Sequence, residues 1–120
     1  MPAPDRYRTI AGTVEVEHVV ERSRFLTQLV RVPDEASARE VIDVRRREHW
    51  SARHHCTAFV IGPDGALQRS NDDGEPAGTA GAPMLEVLRG AEISDVVAVV
   101  TRYFGGVKLG TGGLARAYSE

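Results

Sequence analysis

Three carboxylates fall within four residues, at Asp72, Asp73 and Glu75, inside the segment Ser70-Asn-Asp-Asp-Gly-Glu-Pro-Ala-Gly-Thr-Ala-Gly81. Carboxylates this close could hold Mg²⁺ through one or two oxygens, with water completing the shell. They could equally cap the helix that follows or stand in solvent. The spacing is not that of an EF-hand loop, whose ligands span twelve residues and end on Glu. A second segment, Arg102-Tyr-Phe-Gly-Gly-Val-Lys-Leu-Gly-Thr-Gly-Gly-Leu-Ala-Arg116, satisfies the letter of a dinucleotide fingerprint at Gly110-x-Gly112-x-x-Ala115. No acidic residue follows about 20 positions on, and no parallel βαβ unit surrounds it. A Walker A loop fails, because Thr111 stands where Lys is needed. What this segment retains is physical: backbone N–H groups at a glycine-rich helix start attract anions, and Lys108 and Arg116 add positive charge. His54-His55-Cys56 has metal-ligand residue types, but a zinc site needs at least three protein ligands. His18 and His49 are the other histidines and Cys56 is the single cysteine, so the pair reads as structural. No G-x-S-x-G nucleophile turn is present.

Ten of the twelve glycines lie within residues 62–81 and 105–113. Glycine permits positive φ and close backbone approach, so two shaped loops are expected. Strands and helices must present them. Thr13 to Glu17 alternates as a strand with one wet face, and Phe25 to Val32 pairs with it across the polar residues 21–24. Asp34 is placed to cap a helix running to about His49, with Ala38, Val41 and Ile42 on one face and Arg45, Arg46 and Arg47 at its end. The arginine triplet reads as a solvated helix end. His54 to Gly62 is a third strand, with His54, Cys56, Ala58 and Val60 on one side and His55, Thr57, Phe59 and Ile61 on the other. Pro63-Asp64-Gly65 is a turn, and Ala66 to about Gly81 a long loop. A helix opens at Ala82-Pro83 and stops at Gly90. Asp95 to Phe104 is a fourth strand whose Val-Val-Ala-Val-Val run suits burial on both faces. Leu114 to Glu120 reads as the first turns of a third helix, and residues 1–9 as a flexible arm.

The chain has 120 residues, 42% hydrophobic and 27% charged, with a net charge of −2. That composition is globular and argues against a disordered chain or a generally basic nucleic-acid binder. One cysteine excludes an intrachain disulfide and fits a cytoplasmic location. The longest apolar run, Val96 to Val100, is far below the roughly 18 residues of a membrane span.

Three motifs, Ala52-Arg-His-His-Cys56, Asp72-Asp-Gly-Glu-Pro76 with Gly78-Thr-Ala-Gly81, and Arg102 through Tyr118, together resemble the N-terminal domain of the IMPACT/YigZ family. The resemblance implies a two-layer α/β fold over residues 10–120, a four-stranded mixed sheet with helices on one face, like domain 2 of ribosomal protein S5. It also implies a left-handed crossover. Bacterial members usually continue into a ferredoxin-like domain, and the resemblance gives the expectation that residues 10–120 are the N-terminal domain without it. The position before Pro83, often basic in the family, is Ala82 here.

The function so implied is a non-catalytic binding module linked to translation or stress regulation, since eukaryotic relatives restrain a starvation kinase by competing for its ribosome-associated activator. The expected partner is a protein, or the ribosome or structured RNA; DNA, membrane and cofactor are not expected. The expected binding surface gathers His55, Asp72, Asp73, Glu75, Arg102, Tyr103, Gly105, Gly106, Lys108, Gly110, Gly112, Gly113 and Arg116. The alternative is a Mg²⁺-dependent enzyme acting on a phosphorylated small molecule or nucleotide, with Asp72 or Asp73 holding the metal or acting as base. Leu109 to Ala115 loosely resembles the phosphate loop of small-molecule kinases, an analogy of fold only.

Overall fold

β1 (Val14–Val20) and β2 (Ser23–Arg31) form the expected antiparallel hairpin, from Val14 opposite Leu29 to Val20 opposite Ser23. Glu21 and Arg22 make the turn with φ of 48° and 68°, the left-handed twist that suits a two-residue hairpin loop. The ladder therefore continues through residues whose polarity reads as a connection. α1 (Glu35–Glu48) follows, capped as expected: Asp34 Oδ1 accepts the Ser37 N–H at 2.8 Å. A second hairpin, β3 (His54–Ile61) with β4 (Leu67–Asn71), leads into α2 (Gly81–Gly90), β5 (Val96–Tyr103) and α3 (Gly110–Ser119). The computed structural model describes residues 12–106 and 109–119; the expected arm at 1–9 and Lys108 lie outside them.

Three expectations are corrected. The sheet has five strands, in the order β1-β2-β5-β3-β4, because part of the expected loop is β4. Its residues Leu67-Gln-Arg-Ser-Asn lack an apolar alternation, and the strand is held by backbone pairing to β3, from Ile61 opposite Leu67 to Thr57 opposite Asn71. The sheet is antiparallel at every pairing rather than mixed. The helices lie on both faces rather than one. On β5, Val97 and Val99 join Phe59, Val32 and the α1 residues Ala38 and Ile42 in one core. Val96, Ala98 and Val100 join Phe25, Ala58 and Val60 beneath Met84, Leu88, Leu114 and Ala117 of α2 and α3 in the other. The valine run is thus buried on both sides, as its composition predicts, and β5 is the central strand.

β2-α1-β3 and β4-α2-β5 each join parallel strands across one intervening strand. The second runs in the reverse direction along reversed strands, a relation that preserves hand if both helices share a face. They occupy opposite faces, so the two crossovers have opposite hands. One of them is left-handed, against the usual rule. Among the described residues, no helix is long and apolar enough to cross a membrane.

Candidate functional site

His54 opens β3 and stands directly opposite Arg102 near the end of β5. Strand alternation puts both on the α2/α3 face, in line with Cys56 and Val100. Arg102 is buried there, its guanidinium 5.5 Å from the ring centres of both Phe25 and Phe104. Its Nε and Nη2 donate to Ser23 Oγ at 3.3 and 3.2 Å, and the same oxygen accepts the Gly105 N–H at 3.2 Å.

The β4–α2 loop delivers the counter-charge. Asp72 anchors that loop: Oδ1 accepts the N–H groups of Gly81 at 2.9 Å and Ala80 at 3.2 Å, and Oδ2 that of Gly78 at 3.0 Å. Ala80 has no side-chain cap to offer α2, so Asp72 does the capping from eight residues upstream. Burial alone would raise the Asp72 carboxyl, but the donated N–H groups outweigh it and leave it below the usual range. Gly81 must lack a side chain, since a Cβ would stand 2.8 Å from the Asn71 nitrogen.

This anchoring turns Glu75 inward. Arg102 Nη1 donates to both of its oxygens, at 2.9 Å to Oε1 and 2.7 Å to Oε2, and the Tyr118 hydroxyl of α3 also donates to Oε2. His54 Nδ1 donates to the Asp73 carbonyl at 2.8 Å, which leaves Nε2 facing Glu75 Oε1 at 3.4 Å. A buried carboxylate is tolerated only when so matched. Burial, with Cys56 and Glu75 alongside, pushes the Tyr118 hydroxyl far up, so it remains a donor. Burial also pushes the Cys56 thiol up to about 12.

Glu75, His54 and Arg102 form the floor of an open cleft of about 430 Å³. Pro76, Leu109 and Leu114 supply apolar wall, and Arg53 and Phe104 stand at the mouth. The Arg53 guanidinium lies over the Phe104 ring, 4.5 Å from its centre.

The structure divides the expected surface. Glu75, Arg102 and Gly110 line this cleft. His55 and Tyr103 point to the other face of the sheet. His55 is buried with Nδ1 3.3 Å from Thr101 Oγ1, and Tyr103 OH is 2.7 Å from His49 Nδ1. Burial, reinforced by Arg46, holds the His55 imidazole below its ordinary value. Asp73 bridges β3 and α1: Oδ2 accepts the His55 N–H at 2.7 Å and Oδ1 pairs with Arg46 at 3.1 Å. Arg45 pairs with Glu15 and Glu48, and Arg47 is exposed, so the basic triplet is not one patch. Gly105 is a packing position, where a Cβ would stand 2.2 Å from the Arg22 backbone. Gly106 has an open surround, Gly112 and Gly113 lie within α3, and Arg116 is exposed there. Arg53, His54, Phe104, Tyr118 and Ser23 were not among the expected site residues. The parity of β3 already assigns His54, not His55, to the face of Cys56, and it is the signal that finds it. Among the described residues, no three His, Cys, Asp or Glu side chains converge with metal-binding geometry.

IMPACT family member YvyE of Bacillus subtilis is 54% identical over 114 residues, covering 95% of this chain and 52% of its own length. IMPACT family member YigZ of Escherichia coli is 48% identical over 110 residues, covering 90% and 54%. The chain spans about half the length of the curated relatives it matches. A crystal structure described as a hypothetical protein superposes with a TM-score of 0.91 at 45% identity, over 94% of this chain and 56% of that one. The two-domain translational regulator Yih1 superposes with a TM-score of 0.64 at 26% identity, over 98% and 49%. The sequence model of the Impact N-terminal domain matches residues 21–120, a span that holds every residue of the cleft, and the chain belongs to that family.

Proposed function

We propose that this domain is a binding module in the control of translation, and that the Glu75–Arg102 cleft is where it meets a protein partner or the ribosome. The reading is supported by its family and by its likeness to a protein described as a translational regulator. The observation that carries it is the cleft: a matched buried ion pair forms its floor, beneath a mouth where Arg53 and Phe104 are left to solvent. Burying an ion pair costs desolvation that apolar packing would avoid, and here the pair and the groups bonded to it join β2, β3, β5, α3 and the β4–α2 loop around an opening. Large exposed aromatic and arginine side chains are the types that dominate binding energy at interfaces. A cytoplasmic location goes with this reading, which the single buried thiol supports.

The alternative, a Mg²⁺-dependent enzyme, is less well supported, because the carboxylates it would use already serve the loop and β3. The oxygens of Asp72 accept three backbone N–H groups, and those of Asp73 accept from His55 and Arg46.

Ribosome co-sedimentation through a sucrose gradient at low and moderate salt tests the proposal, with an Arg53→Ala/Phe104→Ala variant as control. Salt-resistant association that the variant loses is the expected result. Association unchanged in the variant would move the contact away from the cleft. Absence of both ribosome association and any saturable protein partner would remove the reading.

A further inference from the structure

The charges around the cleft are matched on its floor and unmatched at its mouth. Glu75 accepts from Arg102 and Tyr118. Arg53, the other arginine lining the cleft, is exposed, makes no ion pair with a carboxylate of the described residues, and holds its guanidinium carbon over the Phe104 ring, 4.5 Å from its centre. A guanidinium held over a ring and exposed to solvent keeps N–H donors available to a planar acceptor. Next to Arg53 the lining is apolar: Phe104, Leu109, Leu114 and Pro76. A volume of about 430 Å³ is in the range of clefts that enclose small ligands, roughly 300–1,000 Å³.

We propose that this cleft binds an acidic segment of a protein partner, with a Leu, Ile or Phe side chain seated against Phe104, Leu109 and Leu114 and a carboxylate one or two residues away on the Arg53 guanidinium. This rests on the reading of the cleft as the partner-binding site. Among the described residues one arginine of the lining is unmatched, and it calls for one anionic group beside an apolar one. A nucleic acid brings a row of phosphates, each needing a cation, whereas this chain carries 15 basic against 17 acidic residues. A neutral peptide would satisfy the wall and leave the guanidinium without a partner.

The test is selection from a phage-displayed random heptapeptide library on the wild-type chain, Arg53→Ala and Arg53→Glu. Arg53 is exposed, so the variants should keep the wild-type melting temperature. The wild type should enrich peptides with Asp or Glu within two positions of Leu, Ile or Phe. Arg53→Ala should weaken a selected peptide about tenfold by fluorescence polarisation, as for loss of a hydrogen bond to a charged group. Arg53→Glu should shift the selection toward Lys or Arg. No enrichment, or the same peptides on all three proteins, would overturn the proposal, as would displacement of the selected peptide by hexauridylate at lower concentration than by unlabelled peptide. Ribosome co-sedimentation run in parallel separates the two readings. Ribosome binding without peptide enrichment removes the acidic-segment proposal alone, and loss of both removes the translation reading with it.

Discussion

Arg102 Nη1 lies 2.7 Å from Glu75 Oε2, and the two side chains are 4% and 3% exposed. The pair gathers five elements: β5 supplies the arginine, the β4–α2 loop the glutamate, α3 the tyrosine, β2 the serine and β3 the histidine.

Removing one member of that pair should be much worse than removing both. Glu75→Leu leaves a buried guanidinium unmatched and Arg102→Met a buried carboxylate, and each should cost about 3–5 kcal/mol of unfolding free energy. The Glu75→Leu/Arg102→Met double variant should recover a large part of that loss. Urea denaturation of the two single variants and the double, read as a double-mutant cycle, checks this. Equal losses in single and double variants would show that packing, not charge matching, sets the cost.

Asp72→Ala should loosen the loop and the start of α2, at about 1–2 kcal/mol, as for loss of a helix cap. The carboxyl is held below its ordinary value, so its contribution is complete above the usual carboxylate pKa of about 3.9 and is lost as pH falls through the lower folded value. Unfolding free energies of wild type and Asp72→Asn should therefore converge in acid and separate above about pH 4. A constant gap from pH 2 to 7 would contradict the assignment.

His55 shifts stability in a different window. Its folded-state pKa is lowered by burial and by Arg46, while the unfolded chain titrates near about 6.5. Its neutral form is thus favoured by folding, and stability present above that value is lost as pH falls below it. Two-dimensional NMR of the imidazole Cε1–H should place its midpoint below those of model peptides. His55→Gln should flatten the wild-type decline between about pH 7 and 5.

The Cys56 thiol, pushed up to about 12 by burial, holds roughly one part in ten thousand as thiolate at pH 8. Iodoacetamide should leave the folded chain unmodified for hours and label it completely in urea. Rapid labelling of folded protein would show that the α2/α3 face opens readily.

Local rules read the chain well wherever backbone and side chain agree. Asp34 caps α1, α2 ends at Gly90 although the left-handed residue that follows is Glu92, and the valine run is the centre of the sheet. They miss β4, because an edge strand needs only backbone partners and Arg69, Ser70 and Asn71 show no apolar face. α3 begins at Gly110, not Leu114, although glycine is a poor helix former. Packing of Leu114, Ala117 and Tyr118 into the core offsets that preference. Which sheet face receives α1 depends on contacts far apart in sequence, so the expected one-sided arrangement had no local signal to correct it. For the same reason the motif residues were gathered onto one surface, when alternation along β3 and β5 sends His55 and Tyr103 to the side opposite His54 and Arg102.

β5 is the last strand in the chain and the middle strand of the sheet. During synthesis the β1–β2 and β3–β4 hairpins emerge first, each with one inner edge bare, and the strand that lies between them in the folded sheet is still to come. Both cores need Val96 to Val100, so neither can close until that segment leaves the ribosome. The domain therefore folds late and all at once: its two halves are zipped together by a strand inserted between them, and until then two unpaired edges are open to mispairing.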